Sequence, residues 1–140
     1  HSGQQQVALV GHSMGGLAIR AWLRTHDTQR AARVLTLGTP HVGTQVPQHI
    51  KTPNGIQMTW KSEWIDTLAG SETAALYRLF HIALTPQDNI VYPQRAQVLP
   101  NVTATVFEGI GHLQMCLDPR VIEWLKKQLA EVDTACVAAT

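Results

Sequence analysis

The stretch Val7–Arg24, VALVGHSMGGLAIRAWLR, decides the fold. An apolar run, Val7–Val10, ends in Gly11-His12-Ser13-Met14-Gly15-Gly16 and passes straight into Leu17–Arg24, where apolar residues recur at helical spacing. Gly11 and Gly15 frame Ser13 in the pattern G-x-S-x-G. A strand that turns into a helix this abruptly needs glycines at the corner, because a Cβ there would clash with the turn. The serine hydroxyl then projects above the strand end instead of into the core. A glycine-rich strand–helix corner can also hold a phosphate at the helix N-terminus. That use calls for G-x-G-x-x-G or G-x-x-x-x-G-K-[ST], and neither occurs here.

Working outward, three further apolar runs match the first: Val34–Leu37, His81–Leu84 and Thr103–Phe107. They are continuous, not alternating, which suits strands of a parallel sheet covered on both faces. Helical patterns separate them. At the far end, Pro119 opens a helix in which Val121, Leu125, Leu129 and Val132 recur at three- and four-residue steps, with Glu123, Lys126, Lys127 and Glu131 on the polar face. Strands alternating with helices predict an α/β fold. Between the second and third runs lies an excursion over about 43–79. It contains Pro47, the turn Pro53-Asn54-Gly55, and Trp60, Trp64 and Leu68 at i, i+4, i+8. We read a turn-rich segment followed by helices over Lys61–Ala69 and Glu72–Leu79, forming a cap over a pocket or a helical cover on the sheet. The tryptophan stripe favours core packing.

Composition narrows the function classes. The chain has 140 residues, 44% hydrophobic and 15% charged, with a net charge of +1, which is one domain's worth of globular chain. Near-neutral charge and the lack of a basic cluster interleaved with aromatics argue against nucleic acid as a partner. No Cys/His spacing resembles a zinc site, so no metal is expected. The two cysteines, Cys116 and Cys136, read as buried thiols in preference to a bridge.

A serine hydroxyl becomes a nucleophile when a base takes its proton, and that base needs an orienting acid. Behind an elbow of this kind the chain order is serine, acid, histidine, each past the C-terminal end of a strand. Asp88 follows the third run within Pro86-Gln87-Asp88-Asn89. His112 follows the fourth within Gly109-Ile110-Gly111-His112. Both order and placement are met. Glu108 lies on the same strand end as His112, and Asp118 comes after it and suits the N-terminus of the last helix. His41 precedes the acid candidates and is assigned to lining the pocket, while His12 packs beneath the elbow.

With these residues placed, the chain resembles the α/β-hydrolase superfamily, and within it the bacterial triacylglycerol lipase/esterase branch. The resemblance rests on Val10–Gly16, Leu37-Gly38-Thr39-Pro40-His41-Val42-Gly43-Thr44, Gln87–Pro93 and Gly109–Leu113, and it spans about 7–131. It implies hydrolysis of a small-molecule or lipid ester through an acyl-enzyme, with Ser13, Asp88 and His112 catalytic and no cofactor. The Met14 amide, immediately after the nucleophile, is the expected oxyanion donor. Met58 and Trp60, with His41, are expected to contact the acyl group. In this superfamily the elbow normally follows the fifth strand, so residues 1–140 are expected to be the C-terminal half of a catalytic domain. About four strands, an apolar sheet edge and half an oxyanion hole would result. The resemblance also implies export or membrane association. A thioesterase or acyltransferase on the same triad, or a non-catalytic module of the same fold, are the competing readings. Acyl transfer to an added alcohol separates the first from hydrolysis.

Overall fold

The computed structural model describes residues 6–26, 28–46 and 51–137, with side chains to residue 131. Among these residues four strands form one parallel sheet: β1 (Val7–His12), β2 (Ala31–Leu37), β3 (Phe80–Leu84) and β4 (Ala104–Val106). They lie in sequence order, so each strand pairs with the next along the chain. Every C-terminal strand end therefore falls on the same edge of the sheet. The described helices are α1 (Met14–Thr25), α2 (Pro53–Gln57), α3 (Glu63–Gly70), α4 (Ala74–Tyr77) and α5 (Pro119–Val137).

The continuous apolar runs are explained by burial on both faces. Val34 and Ile82 belong to a cluster with Leu23, Phe80 and Leu99, against which Ile19 and Trp22 of α1 and Leu76 and Tyr77 of α4 pack. Leu37 and Ala83 point the other way, into a cluster with Phe107, Ile110, Met115 and Val121, covered by Trp124 and Leu125 of α5. Successive strand residues thus feed opposite cores, and no position on β2 or β3 is left for an alternating polar face. β1 and β4 are the edges among the described residues. Val7 and Val10 on β1 and Val106 on β4 are exposed, matching the apolar edge expected from the sequence.

Three expectations change. The tryptophan stripe is not the buried face of the excursion. Lys61 sits at φ 51 and Ser62 caps α3, so Trp60 falls outside the helix and Trp64 is half-buried, while Ile65 and Leu68 enter the core. Pro53-Asn54-Gly55 starts a short helix capped by Thr52, because proline suits a first helical position as well as a turn. Cys116 is an exposed free thiol, not a buried one, since it ends a 3₁₀ turn on the surface. The side chains of Cys136 and Val132 lie outside the described residues. Among the described residues no helix is long and apolar enough to cross a membrane.

Candidate active site

The corner between β1 and α1 has the conformation the glycines predict. Ser13 takes φ 53 and ψ −126, a combination that L-residues rarely adopt. A Cβ on Gly11 would come within 2.6 Å of the Gly16 amide nitrogen, so the turn closes only with glycine there. The Ser13 amide donates to Leu37 O at 2.8 Å, tying the corner to the end of β2. Ser13 also occupies the N-cap of α1, where a hydroxyl normally accepts an amide of the first turn. Thr52, Ser62 and Thr73 do this for α2, α3 and α4. The Ser13 hydroxyl makes no cap bond, and among the described residues it makes no hydrogen bond to His112. Met14, next to it, opens the helix, and its amide belongs to the first turn that lacks intrahelical acceptors.

Asp88 and His112 meet as the chain order predicts. His112 Nδ1 donates to Asp88 Oδ2 at 2.7 Å, with both residues buried. Asp88 Oδ1 accepts the amides of Ile90 at 2.9 Å and Val91 at 2.7 Å, and Oδ2 also accepts Gln97 Nε2 at 3.0 Å. Because Nδ1 carries the proton shared with Asp88, Nε2 is the imidazole's basic nitrogen. Two further contacts fasten the acid loop to the histidine loop. Thr85 Oγ1 donates to Ile110 O at 2.7 Å, and the Gly109 amide donates to Gln87 Oε1 at 2.8 Å. Gly38, at the end of β2, has φ 55, and a Cβ there would stand 3.1 Å from His112 Nδ1 and 3.3 Å from Asp88 Oδ2. Glycine is what lets the pair pass over β2.

His12 packs beside the elbow as the sequence suggests, with its ring 4.7 Å from that of His112. Its Nε2 donates to His112 O at 3.0 Å. Burial lowers the proton affinity of His12 below the usual histidine range, with the carbonyl contact opposing. The Ser13 end and the His112 end of the site are thereby held together.

His41 does not line a pocket. It is 1% exposed, its Nε2 lies 3.1 Å from Thr36 Oγ1, and its ring meets Phe80 edge-on. Burial, then the nearby Arg20 cation, pushes its proton affinity well down. The residue fills the core because the loop after β2 turns inward. Met58 and Trp60 are half-buried on the excursion, and the Arg95 guanidinium lies over the Trp60 ring at 5.6 Å. Two buried polar residues escape a reading of the sequence. Arg20 forks onto Glu72 at 2.8 and 2.6 Å and donates to His41 O at 2.6 Å. A signal for it exists, since Arg20 sits in the buried stripe Gly16, Leu17, Leu23 of α1. Gln97, in a short polar run, carries no such signal. Among the described residues no cluster of His, Cys, Asp and Glu is arranged to hold a metal.

A family model described as the PGAP1-like alpha/beta domain matches residues 1–138. No curated protein matches. Among solved structures, the chain is similar to the meta-cleavage product hydrolase CumD of Pseudomonas fluorescens, with 14% identity and a TM-score of 0.58, covering 94% of this chain and 66% of that one. It is similar to MGS-MChE2, an alpha/beta hydrolase enzyme from a lagoon-sediment metagenome of Mar Chica, Morocco, with 17% identity, a TM-score of 0.51 and coverage of 90% and 64%. A membrane phospholipase A described as a bacterial virulence factor aligns at 14% identity and a TM-score of 0.53, with coverage of 94% and 59%. These likenesses are of fold, and the chain spans less than two thirds of each structure's length. The chain belongs to the PGAP1-like alpha/beta domain family, within the α/β-hydrolase superfamily.

Proposed function

We propose that this chain carries the acid–base–nucleophile machinery of a serine hydrolase acting on carboxylic esters. One observation supports this above the rest. Of the four hydroxyl residues at the N-caps of the described helices, Ser13 alone withholds its hydroxyl from capping, and it stands where His12 links the strand end to His112. Ser13 Oγ attacks the ester carbonyl carbon while His112 Nε2 takes the hydroxyl proton. Asp88 holds the imidazole in that tautomer and stabilises its cationic form. The Met14 amide donates to the developing oxyanion. His112 then returns the proton to the leaving alcohol, and water, activated by the same nitrogen, releases the acyl group.

A small-molecule or lipid ester fits the surroundings. Met14 and Leu113 are exposed at 45% and 72%, and they adjoin Ser13 and His112 in the chain, giving the site an apolar border. Met58 and Trp60 are the candidates on the excursion for contact with the acyl group. The membrane phospholipase A among the similar structures is named for a reaction on a substrate of that class. The test is covalent. The purified chain is treated with a serine-directed fluorophosphonate and its intact mass measured beside Ser13→Ala. A single adduct on the parent, missing from the variant, is expected. A folded parent that takes no adduct overturns the proposal.

A further inference from the structure

We propose that Gln97 is a positioning residue of this site, holding Asp88 in the one orientation that serves His112; the inference rests on the Ser13–His112–Asp88 reading. Gln97 is fully buried (0% exposed) in a 3₁₀ turn that follows the acid loop. Its Nε2 donates to Asp88 Oδ2 at 3.0 Å, the same oxygen that accepts His112 Nδ1 at 2.7 Å. The other oxygen is taken by the Ile90 and Val91 amides. A carboxylate has about four lone-pair positions, and here each faces an N–H donor. Rotation of the carboxylate about its Cβ–Cγ bond would break all four contacts together.

The other end of Gln97 shows that this contact is not incidental. Its Oε1 is buried without a hydrogen-bond partner among the described residues. An unmade bond on a buried acceptor is costly, and an apolar side chain of similar length would avoid that cost. The carboxamide is therefore a poor choice for packing and a good one for Asp88. Removing it frees one lone pair on Oδ2 and leaves His112 as the only donor on that oxygen. Oδ1 stays on the Ile90 and Val91 amides, but Oδ2 is then held by His112 alone, and the imidazole loses part of its fixed aim at Ser13.

Gln97→Met tests this, because methionine keeps the unbranched length and has no donor. Two quantities are read: the rate of fluorophosphonate inactivation, and the downfield proton resonance of His112 Nδ1–H, identified by its loss in His112→Gln. The expected result is inactivation slowed about tenfold or more, as for loss of a hydrogen bond to a charged group, with the resonance shifted or exchange-broadened. The urea midpoint should change little, since loss of the bond to Oδ2 is offset by removal of the unpartnered Oε1. Unchanged rate and resonance overturn the proposal. Should Gln97→Met not fold, Gln97→Leu removes the donor with a smaller apolar side chain; parent-like labelling by that variant also overturns it. A parent that takes no label while its Nδ1–H resonance responds to Gln97→Met would refute the hydrolase reading and support the hold of Gln97 on Asp88.

Discussion

Asp88→Asn turns the hydrogen-bond geometry of the acid into a prediction about chemistry. The Ile90 and Val91 amides, at 2.9 and 2.7 Å, belong to backbone that cannot turn away, so the new carboxamide must keep its oxygen on their side. Its NH2 group then replaces Oδ2 and faces two donors, His112 Nδ1–H and the Gln97 amide. Gln97 can answer by flipping, which turns its unpartnered Oε1 toward the new NH2 and leaves Nε2 unpaired instead. The count of orphaned groups is unchanged, so the fold should hold to within about 1–2 kcal/mol.

His112 has no such neutral answer. To accept from the new NH2 group its Nδ1 must give up the proton, which moves to Nε2, the atom that takes the proton of Ser13 in the proposed mechanism. The wrong tautomer lowers turnover about 10⁴-fold in the serine-protease triad that provides the reference case, or roughly 5.5 kcal/mol of barrier. The assay is the pseudo-first-order rate of fluorophosphonate labelling at fixed reagent, with a urea melt to confirm folding. A folded Asp88→Asn that labels within tenfold of the parent would show that Asp88 does not set the tautomer of His112.

Three other outcomes follow from contacts elsewhere. The Arg20–Glu72 pair is 1% exposed on both sides, and Tyr77 OH also donates to Glu72 at 3.0 Å, so Glu72→Ala should cost about 3–5 kcal/mol in urea unfolding. The double change Arg20→Met with Glu72→Leu should recover most of that, and a double variant no better than the single one would refute the reading. Gly38→Ala forces a Cβ to 3.1 Å from His112 Nδ1 at φ 55, which should cost about 1–2 kcal/mol of stability and slow labelling at least tenfold. Folded His41 binds a proton far less readily than the unfolded chain does, and His12 and His81 depart in the same direction. Below pH about 6.5 the unfolded state therefore holds more protons, and stability falls as pH drops, by about 1.4 kcal/mol per pH unit for the fully buried His41 and by less for His12 and His81, which solvent reaches. Urea midpoints at pH 7 and 5 check the slope, which His41→Asn should flatten; an unchanged slope would sink the assignment to His41.

The strands are legible in the sequence because β2 and β3 are buried on both faces, so Val34, Leu35 and Leu37, and likewise Ile82, Ala83 and Leu84, read as apolar runs, and the one polar residue inside the first, Thr36, is itself buried. The elbow is legible because its backbone demands glycine, a residue type visible without coordinates. Asp88 and His112 are found by chain order, since a parallel sheet delivers its strand ends to one edge. Other features are hidden for a common reason: their burial depends on partners far along the chain. Arg20 lies in the buried stripe of α1, but its partner Glu72 is 52 residues away and nothing at position 20 names it. Gln97 differs from a solvated glutamine only in facing Asp88. His41 misleads for the converse reason, since a histidine past a strand end is expected to face the site, whereas the loop folds it under Thr36 and Phe80.

How His112 arrives over β1 decides what the site depends on. Its own strand, β4, is three spacings from β1, and at about 4.8 Å each no choice of side-chain rotamer spans that gap. The chain covers the distance instead. After Phe107 bonds to Leu84 O, the loop doubles back across β3, where Thr85 holds Ile110, and His112 passes over β2 in the space that Gly38 leaves empty. His12 completes the return by donating to His112 O. The loop after β4 meets β3, then β2, then β1 in turn. The Asp88–His112 pair is thus built on β2, β3 and β4, and Ser13 joins it through β1, Leu37 O and His12. A change at Gly38 or Thr85 should therefore disturb the acid–base pair directly, whereas an equal change in the exposed turn at Asn101 should leave it in place.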